Sequence, residues 1–325
     1  MVEKRLIEAV REGLREELAA DPNVFLIGQD IGMNGGVFRV TEGLLEEFGP
    51  GRVIDSPLAE SGMVGVAIGA AMNGLRPVVE IQFADFIFPA FNQLVSEAAR
   101  MYYRTNGEFA VPLVIRAPYG GGVRGGLYHS QSVEAYFAHV PGLKVVVPSS
   151  PHDAKGLLKS AIRDDNPVLF FEHKLAYNTV RGEVPDGDYT VPIGEAVVRR
   201  EGRQLSLISY GLSVHHCLEA AETLSAEGID CEVVDLRTVE PSEFAFTLAA
   251  QWNKDPRHVE VVLRESRRIV RMDHGVIIAE TKHGYICANA GVDASNMPGE
   301  QLCLLPPDPD ASARGIREGV RSRTG

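Results

Sequence analysis

One carboxylate, Glu60, stands at the mouth of an apolar, glycine-studded run, Asp55-Ser-Pro-Leu-Ala-Glu60-Ser-Gly-Met-Val-Gly-Val-Ala-Ile-Gly. Such an acid can bond a ring nitrogen or share a proton where its surroundings are dry. Taken alone it is more simply a first-turn acid favoured by the helix dipole, and the neighbouring motifs are what raise the functional reading. Gly62, Gly65 and Gly69 recur at three and four residues, so one helix face carries no side chain and admits another backbone or a flat ligand. Further on, His129 follows the loop Gly120-Gly-Gly-Val-Arg-Gly-Gly and precedes Ser130-Gln-Ser132, where a histidine can exchange protons near neutral pH. That loop lacks the Lys-Ser/Thr of a P-loop and opens no Rossmann helix, so it is a weak nucleotide signal. Phe83, Phe86, Phe88 and Phe91 suit either a packed core or a stacking surface.

Rigid elements must position these groups. Leu6, Ile7, Val10, Leu14 and Leu18 fall at helical spacing and predict a helix over 4–19, stopped by Asp21-Pro22. Strands are then expected at 24–27, 52–54, 77–82, 112–116, 143–147 and 167–172, with helices near 41–48, 61–73, 89–104 and 151–163. Continuous apolar strands such as Val145-Val-Val and Val168-Leu-Phe-Phe predict an α/β fold: a parallel sheet with helices on both faces. A turn-rich stretch at 179–192, containing Pro185-Asp-Gly-Asp, reads as a linker after a first domain over 1–178. A second αβ unit follows, with strand 205–209, helix 213–226 and strand 231–236.

Composition narrows the classes. The 325 residues are enough for two ordinary domains, and the net charge of −12 argues against a nucleic-acid partner. Four scattered cysteines form no Cys-x-x-Cys pair, which fits a reducing cytoplasm. The charged, amphipathic N-terminus is no signal peptide, and no apolar run is long enough to span a membrane.

The Glu60 block is followed by Gly74-Leu-Arg-Pro-Val-Val-Glu-Ile-Gln-Phe-Ala-Asp-Phe86 and then by Ala117-Pro-Tyr-Gly-Gly-Gly-Val-Arg-Gly-Gly-Leu-Tyr-His129-Ser-Gln-Ser. In this order, from about residue 4 to 240, these strings resemble the beta subunits of 2-oxo acid dehydrogenases, most closely the branched-chain type. The resemblance implies a transketolase-like domain over 1–178 that binds the pyrimidine half of thiamin diphosphate, and an incomplete second α/β domain over 193–241. It implies that Glu60 bonds the aminopyrimidine, that Leu58, Gln82 and Phe86 line the cofactor, and that His129 serves acyl transfer to a lipoyl arm. The reaction implied is oxidative decarboxylation of branched-chain 2-oxo acids, with pyruvate as the alternative substrate.

The resemblance also places a structural potassium ion at a helix-end turn, with Leu113, Ala161, Ile162, Asp164 and Asn166 as donors. The residues themselves read equally as a capping turn. The family's Gly-Asp-Gly motif for magnesium and diphosphate does not occur in the sequence. An alpha subunit is therefore the implied partner, in an α2β2 tetramer. A lipoyl transacylase core is implied as well, its binding weakened or lost with the incomplete domain.

From residue 242 the pattern changes. Trp252-Asn-Lys-Asp-Pro-Arg and Gly291-Val-Asp293-Ala-Ser-Asn296 resemble an internal fragment of the gamma-glutamyl ligase of a deazaflavin coenzyme, over 242–325. That resemblance makes Asp293 a candidate metal ligand and adds a foreign α/β-like segment to the fold. Ligase chemistry from this third, or an inactive remnant, are the rival functions.

Overall fold

The computed structural model describes residues 1–240 and, beyond them, the backbone of four strands. Elements run β1 (Val2–Arg5), α1 (Leu6–Ala20), β2 (Val24–Gly28), α2 (Leu44–Phe48), β3 (Val53–Asp55), α3 (Glu60–Met72), β4 (Arg76–Glu80), α4 (Ala99–Arg104) and β5 (Val114–Tyr119). They continue with α5 (Glu134–Ala138), β6 (Lys144–Val146), α6 (Pro151–Arg163), β7 (Val168–His173), α7 (Ala176–Thr179), β8 (Arg181–Val184), β9 (Val197–Arg200), β10 (Leu205–Ser209), α8 (Ser213–Ala226), β11 (Cys231–Asp235) and β12 (Thr238–Glu240).

The central sheet has seven strands in the order β12-β6-β7-β5-β4-β2-β3. Six run parallel, and β12 pairs antiparallel with β6 at one edge. Its strands are apolar throughout because both faces are covered. On one face Met63, Val64, Ala67 and Ile68 of α3 pack with Ile87, Leu94 and Phe137. On the other, Leu6, Val10 and Leu14 of α1 pack with Leu157, Leu158 and Ile162 of α6. The start of α6 is fixed by Pro151 at its first position and by the Ser150 hydroxyl, which accepts from Asp153 N at 3.2 Å.

The expected helix at 89–104 differs in detail. A 3₁₀ turn occupies Ala84–Ala90 with Pro89 inside it, and the helix that follows widens to a π-helix over Gln93–Ala98 before α4. Pro89 lacks an N–H, so the α-helical ladder begins only after it. Such π segments recur at functional sites.

Residues 179–192, expected as a linker, lie along α6. β8 pairs antiparallel with β1, Asp188 bridges Lys159 and Arg163 at 2.7 and 2.8 Å, and Tyr189 stacks on His152 at 4.9 Å. The residues after it are tied to the same helix. Arg199 pairs with Asp153 of α6 and with Asp235 of β11, and Arg237 reaches Asp153 at 3.1 Å. Met1–Gly202 and the described residues from Leu207 onward through β12 belong to one compact unit. Within it β11 pairs antiparallel with β9, and α8 and β11 share a small core of Val214, Ala221, Cys231 and Val233.

A second unit contains a four-stranded antiparallel sheet, β13 (Arg268–Asp273), β14 (Val276–Thr281), β15 (Gly284–Asn289) and β16 (Cys303–Leu305), paired in that order. Among the described residues, no helix is long and apolar enough to cross a membrane.

Candidate active site

The sheet order fixes where a ligand belongs. The chain leaves β2 toward β3 at one side and leaves β4 toward β5 at the other, although β2 and β4 are neighbours. A crevice opens at the carboxyl ends of two strands whose connections diverge in this way. β2 delivers Gln29 and Asp30 to that edge, β4 delivers Gln82, and the β3–α3 connection delivers Glu60.

These four side chains are joined in pairs. Gln29 Nε2 donates to Glu60 Oε1 at 3.3 Å, and Gln82 Nε2 donates to Asp30 Oδ2 at 2.9 Å, across the β2–β4 gap. Glu60 is the first residue of α3 and only 8 % exposed. Among the described residues Gln29 alone bonds its carboxylate, leaving Oε2 for another donor. Position one of a helix favours the negative charge, and burial strengthens whatever bond that oxygen makes.

The loop after β2 is pinned by Asp55 at the end of β3. Its carboxylate accepts from Gly32 N at 2.7 Å and Met33 N at 3.4 Å. A Cβ on Gly32 would stand 2.5 Å from Asp55 Oδ2, so glycine is what allows this approach.

Phe86 and His129 belong to a second group beside the first. The 3₁₀ turn carrying Phe86 packs against α3 and against the short turn Leu127–His129. The His129 ring is edge-to-face with Phe83 at 4.6 Å and with Phe86 at 5.3 Å, and Phe83 meets Phe86 at 5.5 Å. Gln82 and Phe83 are consecutive, so one stretch of chain serves both groups. Leu58 is 81 % exposed on the β3–α3 connection.

Beneath the site lies a charged cluster that composition alone does not reveal. Arg116 of β5 is buried between Glu80 of β4, at 2.6 Å, and Glu172 of β7, held by two bonds at 2.7 and 2.6 Å, while Tyr177 O–H donates to Glu172. Burial pushes the Glu80 carboxyl up, the Arg116 guanidinium pulls it back, and the net shift is upward. Burial works against the Arg116 charge, but the two carboxylates more than offset it and hold the proton more firmly than usual. Gly120 begins the loop toward His129 at φ +85°, and a Cβ there would stand 2.2 Å from His173 Nε2. Burial, with Lys174 and His216, lowers the His173 pKa to about 4, so that ring is neutral near pH 7.

The helix-end residues Leu113, Ala161, Ile162, Asp164 and Asn166 are engaged elsewhere. Leu113 O accepts from Val168 N at 2.8 Å and Ala161 O from Asp164 N at 3.3 Å. Arg76 Nη1 donates to Ile162 O at 3.0 Å and Asp164 O at 3.1 Å. The Asp164 carboxylate accepts from Asn166 N at 2.8 Å and pairs with Lys144. Two cationic side chains already meet these oxygens. Among the described residues no group of three or more His, Cys, Asp or Glu could hold a metal ion. Asp293 lies outside the described residues.

Sequence reasoning missed Gln29 and Asp30, although their place just after an apolar strand was visible. It also missed Glu80, Arg116 and Glu172, which announce themselves as charges inside otherwise apolar strands.

The parallel sheet with this strand order, and an acid with aromatic side chains at its switch point, sit within a domain of the transketolase class. The family model for the transketolase pyrimidine-binding domain matches residues 3–180. A solved structure described as a split-gene transketolase, inactive beta4 tetramer, matches with TM-score 0.61 and 24% identity, covering 76% of each chain. A Pichia stipitis transketolase mutant matches with TM-score 0.55 and 17% identity over 73% of this chain and 35% of that one.

The particular relatives narrow the class. The 2-oxoisovalerate dehydrogenase subunit beta of Bacillus subtilis is 60% identical over 235 residues, 72% of each chain. The pyruvate dehydrogenase E1 subunit beta of the same organism is 49% identical over 268 residues, 82% of each. The chain belongs to the family of 2-oxo acid dehydrogenase beta subunits, which are oxidoreductases. A second family model, F420-0:gamma-glutamyl ligase, matches residues 220–325, beginning inside α8 and before residue 242.

Proposed function

We propose that this chain is the pyrimidine-binding half of a thiamin-diphosphate-dependent dehydrogenase of branched-chain 2-oxo acids, working with an alpha subunit in the cytoplasm. The observation that carries the reading is Glu60: a buried carboxylate at the switch point, oriented by Gln29 and with one oxygen left to bond. The residues fit the cofactor, since a flat heteroaromatic ring takes one strong hydrogen bond at its edge and aromatic cover over its face.

Thiamin diphosphate, when bound, supplies the nucleophilic carbon and the electron sink for loss of carbon dioxide. Glu60 would bond a ring nitrogen of the bound cofactor and share a proton with it, and Gln29 keeps its carboxyl in place. Phe86 would cover the ring, while Gln82 and Leu58 would complete the lining. His129 would move a proton as an acyl group passes to a lipoyl arm, a role suited to a half-buried imidazole. Magnesium and diphosphate fall to the alpha chain, because the Gly-Asp-Gly motif that would hold them does not occur in this sequence.

The alpha partner is supported by α3. Gly62, Gly65, Val66 and Gly69 are exposed along one face of it, and a Cβ at Gly65 or Gly69 would meet nothing within 4 Å. Branched-chain substrates are favoured over pyruvate by identities of 60% against 49%. We assign no potassium ion, since Arg76 already donates to Ile162 O and Asp164 O, Lys144 pairs with the Asp164 carboxylate, and backbone amides meet Leu113 O and Ala161 O. Co-expression with a branched-chain alpha subunit, followed by assay of 2-oxo acid decarboxylation, tests the reading. Activity with both subunits and none with either alone supports it; no activity and no cofactor uptake by the pair refutes it.

A further inference from the structure

Two oppositely charged side chains beside the site are buried without full bonding. Lys174, the residue after β7, is 3 % exposed, and its Nζ has no hydrogen-bond partner. Asp85, in the 3₁₀ turn one residue before Phe86, is 7 % exposed and has an unbonded Oδ2. Buried ionisable groups of this kind are costly, and a chain that needed only packing would do better with apolar side chains there.

Their surroundings connect both to His129. Asp85 Oδ1 accepts from Ser130 N and from Gln131 N, each at 3.2 Å, and so grips the two residues that follow the histidine. Lys174 Nζ stands 5.3 Å from the centroid of Phe83, and the same ring meets the His129 ring at 4.6 Å. Burial lowers the Lys174 pKa, and the Asp85 carboxylate opposes that shift, so the two charges sense one another. Cation–aromatic contacts gain strength when water is excluded.

We propose that Asp85 and Lys174 form a buried positioning pair that fixes the His129 loop over Phe83, making Lys174 a positioning residue for acyl transfer. The assignment rests on the role given to His129 above. Asp85 supplies the anchor for the loop amides. Lys174 balances the anchor's charge and holds Phe83 as the floor for the imidazole. Lys174→Met keeps an unbranched apolar chain, one atom shorter, while removing the charge. Asp85→Asn keeps one acceptor oxygen and removes the charge.

The test uses the chain assembled with an alpha subunit and two assays: decarboxylation coupled to an artificial electron acceptor, and acyl transfer to lipoamide. Lys174→Met and Asp85→Asn are expected to slow acyl transfer about tenfold while acceptor-coupled decarboxylation stays within about twofold. Lys174→Arg is expected to restore most of the transfer rate, and adding Lys174→Met to His129→Ala is expected to cost nothing further. Equal loss in both assays, or additive loss in the double variant, overturns the proposal.

A second readout does not depend on the role of His129. Trypsin cleaves after Arg124 in the exposed loop, with Arg104 as internal reference. Both variants are expected to speed cleavage at Arg124 relative to Arg104, and an unchanged ratio overturns the pair. If His129→Ala spares acyl transfer while the cleavage ratio rises, the role of His129 is wrong and the positioning pair stands. Should Lys174→Met fail to assemble, Asp85→Asn carries the same comparisons.

Discussion

The His129 and Phe86 rings meet edge-to-face, with centroids 5.3 Å apart and planes at 80°. The two residues come from separate turns, one after β4 and one after β5, and each limits the other's freedom. An aromatic pair of this geometry contributes about 0.5–1.5 kcal/mol beyond its buried area.

Phe86→Ala therefore removes both a cover for the cofactor ring and a wall for the imidazole. The cofactor concentration giving half-maximal activity of the two-subunit enzyme is expected to rise about tenfold, consistent with a loss near 1.4 kcal/mol. Titration of thiamin diphosphate into the apo complex measures it.

The Glu80–Arg116–Glu172 cluster predicts a stability effect. Arg116→Met would leave two carboxylates buried together without their shared partner. A loss of about 3–5 kcal/mol is expected, read as a lower urea midpoint.

Glu134 predicts a dependence on pH. It is buried at the start of α5, and burial raises its carboxyl pKa to about 7 from 4.5. A raised folded value means that the stability is complete below the unfolded pKa and is lost as pH rises toward 7. Glu134→Gln mimics the protonated acid, so it is expected to change little at acid pH and to stabilise at pH 8 by at most about 3 kcal/mol. Urea unfolding at the two pH values decides it.

The turn at Asp164 predicts indifference to potassium. With Arg76 and Lys144 on its oxygens, thermal midpoints in equal concentrations of KCl and NaCl are expected to agree within about 1 °C. A rise of several degrees in potassium would show that the ion displaces these side chains.

Much of the fold was legible because its parallel strands are continuous apolar runs, and Val168-Leu-Phe-Phe belongs to a strand buried on both faces. β1 and β8 were not legible. Val2-Glu-Lys-Arg and Arg181-Gly-Glu-Val are short, charged and without apolar alternation, and they become strands only by pairing with each other. The stretch at 179–192 looked free for a related reason: its polar residues are satisfied by α6, and local sequence carries no record of that partner.

Within the site, Glu60 stood out because a charge heads an apolar helix. Gln29 did not, since its value lies in reaching a residue 31 positions away. Lys174 was hidden for the opposite reason: a lysine following a strand reads as a solvated end, and only packing shows it buried.

The central claim is tested most directly by decarboxylation of 3-methyl-2-oxobutanoate by the two-subunit enzyme carrying Glu60→Gln. The amide keeps the shape of the side chain but cannot hold the carboxyl proton, so the rate is expected to fall by about a hundredfold or more, with assembly intact. A rate within about threefold of the unaltered enzyme would contradict the assignment of Glu60.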